Sequence, residues 1–126
     1  MAKLLILNVP TMCVWQGHSI AGGVFLGLCH DLVIMKDDPK LMVCLNELSF
    51  GKNVPFAYAQ LTKRLTNGRT LRTLFLGTKL TPKRAHELDI VGNLYTSDDD
   101  VHAQIAKFAK EKSIIARKRE GYKITK

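Results

Sequence analysis

The sequence predicts an α/β domain of short strands and one buried helix, followed by a C-terminal helical region. Two observations carry that prediction. An apolar strand, Thr11 to Trp15, runs into the turn Gln16 to Ser19; this opens into an apolar helix, Ala21 to Cys29, and Asp31 introduces a second strand to Met35. From Pro55 onward the apolar residues recur mainly at helical spacing. With 126 residues, 46% of them hydrophobic, the chain carries enough apolar material for one modest core.

The elements follow in order. Lys3 to Asn8 reads locally as a buried strand, and Pro10 biases Val9 away from helix. The helix Ala21 to Cys29 is apolar nearly all round, which marks it as buried. Lys36-Asp37-Asp38-Pro39-Lys40 is a polar turn, and Leu41 to Leu45 a further short strand with Asn46-Glu47 at its end. Pro55 begins a helix to about Leu65, with Phe56, Ala59 and Lys63 on one row, and Asn67-Gly68 is expected to end it. Thr70 to Leu76 is the next helix, with Leu71, Leu74 and Phe75 at helical spacing and Gly77 as its cap. Thr81 and Pro82 read as N-cap and first residue of a short helix to Leu88. Ile90 to Tyr95 is a short strand or extended segment. Ser97-Asp98-Asp99-Asp100 then places a cap and acidic residues before a long helix whose apolar face is Val101, Ile105, Phe108 and Ala109. No repeat or linker interrupts the chain, so residues 1–126 form one domain, with a core part at 1–96 and a C-terminal helix and basic tail at 97–126.

Nineteen Lys and Arg against eleven Asp and Glu give a net charge of +8, which favours anionic partners such as a coenzyme's phosphates, nucleic acid or anionic lipid. The densest basic piece is Arg117-Lys118-Arg119 with Lys123 and Lys126 nearby, and a solvated basic tail is its simplest reading. No nucleic-acid motif accompanies the charge and aromatic residues do not interleave with it, so nucleic acid is not an expected partner. No apolar run approaches the ~18 to 20 residues of a membrane span. The N-terminus has one basic residue before Leu4-Leu5-Ile6-Leu7 and no small-residue cleavage site, so no signal peptide is expected. Cys13, Cys29 and Cys44 lack CxxC spacing and sit in apolar runs, which predicts reduced, buried thiols. The four scattered histidines make no metal site, and His18 is notable only for lying at the turn.

The chemistry concentrates at that turn. Small residues where a turn becomes a helix N-terminus leave backbone N–H groups pointing outward with no Cβ to keep a ligand oxygen away. Such a place suits an oxyanion, although Gly22-Gly23 would equally serve close packing of the helix on a strand. Gly-His-Ser-Ile-Ala-Gly-Gly (17–23), the helix ending Cys29-His30-Asp31, the strand to Met35, and Leu45-Asn46-Glu47-Leu48-Ser49-Phe50-Gly51 together resemble the crotonase (enoyl-CoA hydratase/isomerase) superfamily. Thr78 to Val91 extends the resemblance, which runs from about Val9 to Lys112.

The resemblance implies a partial crotonase fold, the second part of the family domain, with Met1 as the start of a truncated product or incomplete gene model. It makes Lys3 to Asn8 the last turn of a helix rather than a strand. Gly22 matches the residue whose backbone N–H is the second oxyanion donor, and Glu47 the carboxylate that moves protons on the substrate. Ile20, Ala21 and Phe25 are the expected substrate-contacting residues. Hydratases of the family carry a second Glu where this chain has Phe25. Adding water needs two carboxylates, whereas shuttling a proton from C2 to C4 needs one, so the pattern looks like a Δ3,Δ2-enoyl-CoA isomerase of fatty acid β-oxidation. Apolar Leu45, Leu48 and Phe50 are expected to surround Glu47. The implied partner is an acyl-CoA thioester, with coenzyme A as part of the substrate and no other cofactor or metal. A trimer or hexamer is implied, with the helix from Asp98 at a subunit contact, and the compartment is the mitochondrial or peroxisomal matrix. The alternative is a catalytically inactive, crotonase-derived structural or binding subunit of a larger assembly. Loss of one oxyanion donor lowers rate on the order of 10²- to 10³-fold, so the chain by itself would be weak or inert as an enzyme.

Overall fold

The computed structural model describes residues 1–118 and 121–122. Among these residues, five short strands and six helices run in the order α1 (Ala2–Leu5), β1 (Met12–Trp15), β2 (Ser19–Ile20), α2 (Gly22–Leu28), β3 (Leu32–Lys36), β4 (Val43–Cys44), α3 (Phe56–Leu65), α4 (Gly68–Phe75), α5 (Pro82–Glu87), β5 (Asn93–Tyr95) and α6 (Asp98–Arg117). A 3₁₀ turn at Leu48–Phe50 lies between β4 and α3.

Two parallel sheets organise the chain. The first has the order β1-β3-β5, with Met12 opposite Leu32 and Ile34 opposite Asn93. The second pairs β2 with β4, Ser19 opposite Val43 and Ile20 opposite Cys44. Central strand β3 is buried on both faces, as a parallel strand covered on each side must be. Val33 and Met35 enter the main core with Trp15, Val24, Phe25, Val43, Leu45, Leu74, Leu80 and the residues around Ile90. Ile34 enters a smaller cluster on the other face with Tyr95 and Val101 of α6.

Close packing of α2 on β1 depends on Gly27: a Cβ there would stand 2.2 Å from Cζ2 of Trp15. The helices α4 and α5 are tied by the buried Thr70 hydroxyl, which donates to the Leu88 carbonyl at 2.9 Å. Thr81 caps α5 by accepting from the Arg84 amide, with Pro82 at the first helical position, as the sequence predicts.

Five expectations need correction. Lys3 to Asn8 is not a final helical turn throughout, since α1 ends at Leu5 and buries none of its residues. Ser19, expected in a turn, begins β2; two residues are too few to display a strand period. Leu41 to Leu45 contains only two strand residues, Val43 and Cys44, and Val43 also bridges to Leu80. Asn67-Gly68 does not end α3 but starts α4. The extended backbone of Thr66 ends α3, and the Asn67 side chain accepts from the Thr70 amide as N-cap. On α6, Val101 is buried and Phe108 half-buried, whereas Ile105 is 40% exposed and Ala109 exposed, so the expected apolar face is covered only in part. Arg119, Lys123 and Lys126 of the expected basic tail lie outside the described residues. Among the described residues no helix is long and apolar enough to cross a membrane.

Candidate active site

The segment from His18 to Ala21 is laced to the β4 segment. Ser19 donates from its amide to the Met42 carbonyl at 2.8 Å, and Ala21 to the Cys44 carbonyl at 2.9 Å. In return, the Met42 amide donates to Nδ1 of His18 at 3.2 Å. These bonds deliver the chain into α2 through Ala21, a non-glycine residue at φ 51° and ψ −116°. The Ala21 carbonyl then accepts from Val24 at 3.0 Å, closing the first turn of the helix.

Gly22 follows immediately. Its amide and that of Gly23 donate to no acceptor among the described residues, as expected of the first turn of a helix. Gly22 is exposed, and a Cβ built there meets nothing within 4 Å. The position therefore offers an accessible amide and free space around it.

Glu47 lies three residues beyond Cys44, the residue that accepts from Ala21. It caps the 3₁₀ turn, with its carbonyl accepting from the amides of Phe50 at 3.1 Å and Lys52 at 2.9 Å. One carboxylate oxygen, Oε2, is shut off from solvent and has no hydrogen-bond partner among the described residues. Gly22 and Glu47 thus both follow the C-terminal ends of the paired strands β2 and β4, separated in chain topology by one interstrand hydrogen bond. A buried carboxylate oxygen without a partner adds nothing to the fold's stability and calls for an explanation outside its internal bonding.

Surroundings of Glu47 differ from the expected apolar shell. Leu45 is buried, but Leu48 is 53% and Phe50 71% exposed, so two of the three apolar neighbours face outward. The Cys44 thiol donates to the Gly77 carbonyl at 3.3 Å. Burial pushes that thiol up from its ordinary range; the Lys79 ammonium opposes this and the Glu47 carboxylate adds to it. A cation and an anion therefore flank the end of β4.

Of the three residues expected to contact substrate, Ile20 is 37% exposed and Ala21 half-buried. Phe25 is 1% exposed and stacks on Tyr58 of α3, with ring centroids 4.8 Å apart. Its ring is committed to the core. Sequence reasoning missed Tyr58, which is 33 positions from its partner, and Ser19, whose buried hydroxyl lies 3.3 Å from where a Cβ on Gly23 would stand. That hydroxyl has no hydrogen-bond partner among the described residues. A cleft of about 440 Å³ opens instead near the N-terminal ends of β3 and β5, among Leu28, Leu32, Asp89 and Gly92, away from Gly22 and Glu47.

Comparisons with known proteins bear on this arrangement. The family model described as enoyl-CoA hydratase/isomerase matches residues 1–119. The chain is 32% identical over 103 residues to the Mus musculus protein named enoyl-CoA delta isomerase 1, mitochondrial, a match covering 81% of this chain and 35% of that protein. It is likewise 32% identical over 103 residues to enoyl-CoA delta isomerase 2, peroxisomal, of Arabidopsis thaliana, covering 79% of this chain and 42% of that one. The crystal structure of an enoyl-CoA hydratase/isomerase from Marinobacter aquaeolei superposes on 94% of this chain and 46% of its own, with TM-score 0.78 and 18% identity. A likeness at that identity establishes the crotonase fold. The chain spans 35% to 42% of the length of these two curated relatives.

Proposed function

The chain belongs to the enoyl-CoA hydratase/isomerase family, and on that premise we propose that its chemistry is of the Δ3,Δ2-enoyl-CoA isomerase type. Glu47 removes a proton from C2 of a 3-enoyl thioester. The Gly22 amide donates to the thioester oxygen as charge develops on it, and the conjugate acid of Glu47 returns the proton at C4. Proton and charge balance without any further reactant, and the double bond moves by one position.

The observation that carries this reading is the solvent-excluded, unpartnered Oε2 of Glu47 at the end of the strand that is hydrogen-bonded to the entry of α2. The names of the curated relatives, enoyl-CoA delta isomerases, support the same reaction. So does Phe25: an apolar ring, not a second carboxylate, follows Gly22 one helical turn on. Relatives named mitochondrial and peroxisomal support a place in the matrix of one of those organelles.

The test is an isomerisation assay on 3-enoyl-CoA thioesters with the purified chain, beside Glu47→Gln and Gly22→Pro. Weak turnover in the parent, abolished by both substitutions, is the expected result. A second reading, a catalytically silent binding or structural subunit, is favoured by the outward-facing Phe50, Phe56 and Leu76, which are 71% to 80% exposed. Its signature is a parent chain with no turnover that copurifies with a larger assembly.

A further inference from the structure

The ladder that joins β2 to β4 has one link that is not backbone to backbone. Ser19 donates to the Met42 carbonyl and Ala21 to the Cys44 carbonyl. A parallel ladder continued one step back would send the Met42 amide to a carbonyl of the facing strand. It goes instead to Nδ1 of His18, at 3.2 Å. This end of the ladder is therefore closed by a side chain, and by the kind of side chain whose charge changes near neutral pH.

The bond fixes the state of the ring. An imidazole nitrogen accepts only through a bare lone pair, so Nδ1 carries no hydrogen and the ring's one N–H is at Nε2. Imidazolium carries a hydrogen on both nitrogens and accepts nothing. On protonation two N–H groups would face each other, and the link would fail. His18 is exposed, so solvent protons reach it. Among the described residues no carboxylate bonds to it. In the segment that leads to Met42, Asp37 pairs with Lys83 at 3.8 Å and Asp38 accepts from the Lys40 amide at 2.9 Å, while Lys36 and Lys40 add positive charge. The helix α2, packed against β2, carries no charged residue, and Lys79 and Glu47 act near Cys44 at the other end of β4.

We infer that His18 is a positioning residue and a proton-operated release for this ladder: the neutral ring holds the Met42 amide and keeps Gly22 in register with Glu47, and the imidazolium lets the two strands part. Few bonds oppose the release, because each strand is two residues long. Loss of one such hydrogen bond raises the population of the opened ladder about two- to tenfold. The release acts on where Gly22 and Glu47 stand and is independent of the reaction they serve.

The experiment uses the 126-residue chain labelled with nitrogen-15, at about pH 8 and about pH 5, either side of the imidazole range. At the higher pH, long-range spectra of the His18 ring should show a bare Nδ1 and a hydrogen on Nε2. Amide exchange, corrected for its intrinsic pH dependence, should show Ser19, Ala21 and Met42 opening about two- to tenfold more at the lower pH, with Val33 and Ile34 unchanged. His18→Asn places an amide oxygen where Nδ1 stood and cannot titrate, so it should keep the three amides protected at both pH values. His18→Leu should leave them open at both, and circular dichroism checks that each variant is folded. A hydrogen on Nδ1 at the higher pH, or opening in the parent that is the same at both, overturns the inference. So does an equal rise at Val33 and Ile34, or an acid-induced rise that survives in His18→Asn. The ring state and the parent's own pH dependence need no variant, so a substitution that fails to fold leaves the test standing.

Discussion

The amide of Ala21 donates to the carbonyl of Cys44 across 2.9 Å, and this bond fixes the spacing between the helix that begins at Gly22 and the loop that carries Glu47. Ala21 makes it from a left-handed φ of 51°. With ψ at −116° the residue lies outside the left-handed helical well, a conformation that costs an L-residue about 1–3 kcal/mol, part of which glycine's larger folding entropy offsets. Ala21→Gly is therefore expected to stabilise the fold by about 0.5–1 kcal/mol. Ala21→Val should destabilise it by about 1–3 kcal/mol. Urea midpoints at constant m-value measure both.

The stack of Phe25 on Tyr58 joins α2 to α3 across the core. Phe25→Ala leaves a cavity and is expected to destabilise by about 3–5 kcal/mol, with Phe25→Leu losing less. A double-mutant cycle with Tyr58→Leu should return a coupling of about 0.5–1.5 kcal/mol. A coupling near zero would show that the rings are neighbours without mutual stabilisation.

Two glycines of α2 separate conformational from steric demand. Gly27→Ala drives a methyl group into the Trp15 ring and should destabilise by about 1–3 kcal/mol, accompanied by a shift in Trp15 fluorescence. Gly22→Ala meets open space at a helical residue, so its stability should stay within about 0.5 kcal/mol of the parent. Equal losses at the two positions would contradict the packing of α2 on β1 described above.

How much of this was legible beforehand follows from what a local pattern can encode. The strand from Thr11, the helix after it and the Thr81-Pro82 start were readable because capping and periodicity are local, although α2 is not buried all round, Leu26 being 44% exposed. β2 was not, since two residues contain no period and only its pairing with Val43 and Cys44 makes it a strand. Asn67 carries the same residue-level signal for a helix end as for a helix start, and the hydrogen bond to Thr70 decides between them. Glu47 was singled out by its family-like neighbours, whereas the isolation of its Oε2 depends on packing that no short window of sequence contains. The outward turn of Leu48 and Phe50 was hidden for the same reason.

Asp100 gives a pH signature. Its carboxylate accepts from the Gln104 side chain at 3.0 Å and from the Thr96 amide at 3.0 Å, which holds its pKa below the ordinary value. A group depressed in the folded state contributes stability above its unfolded pKa of about 3.9 and loses that contribution as pH falls through the lower folded value. Asp100→Asn should therefore be less stable than the parent at pH 7 and converge with it in strong acid. Urea unfolding at both extremes checks this; a constant difference at every pH would place the effect in packing rather than in charge.

The sheet that presents Gly22 and Glu47 is only two residues long on each strand, while the neighbouring sheet β1-β3-β5 has four paired rungs on one side and three on the other. Opening the shorter ladder breaks few bonds and leaves the longer one standing, so the two groups can part without the domain unravelling. Deuterium uptake should reveal the hierarchy, with the amides of Ser19 and Ala21 trading their protons well before those of Val33 and Ile34. The chain thus carries its two candidate site groups on a clasp and its permanence on a spine.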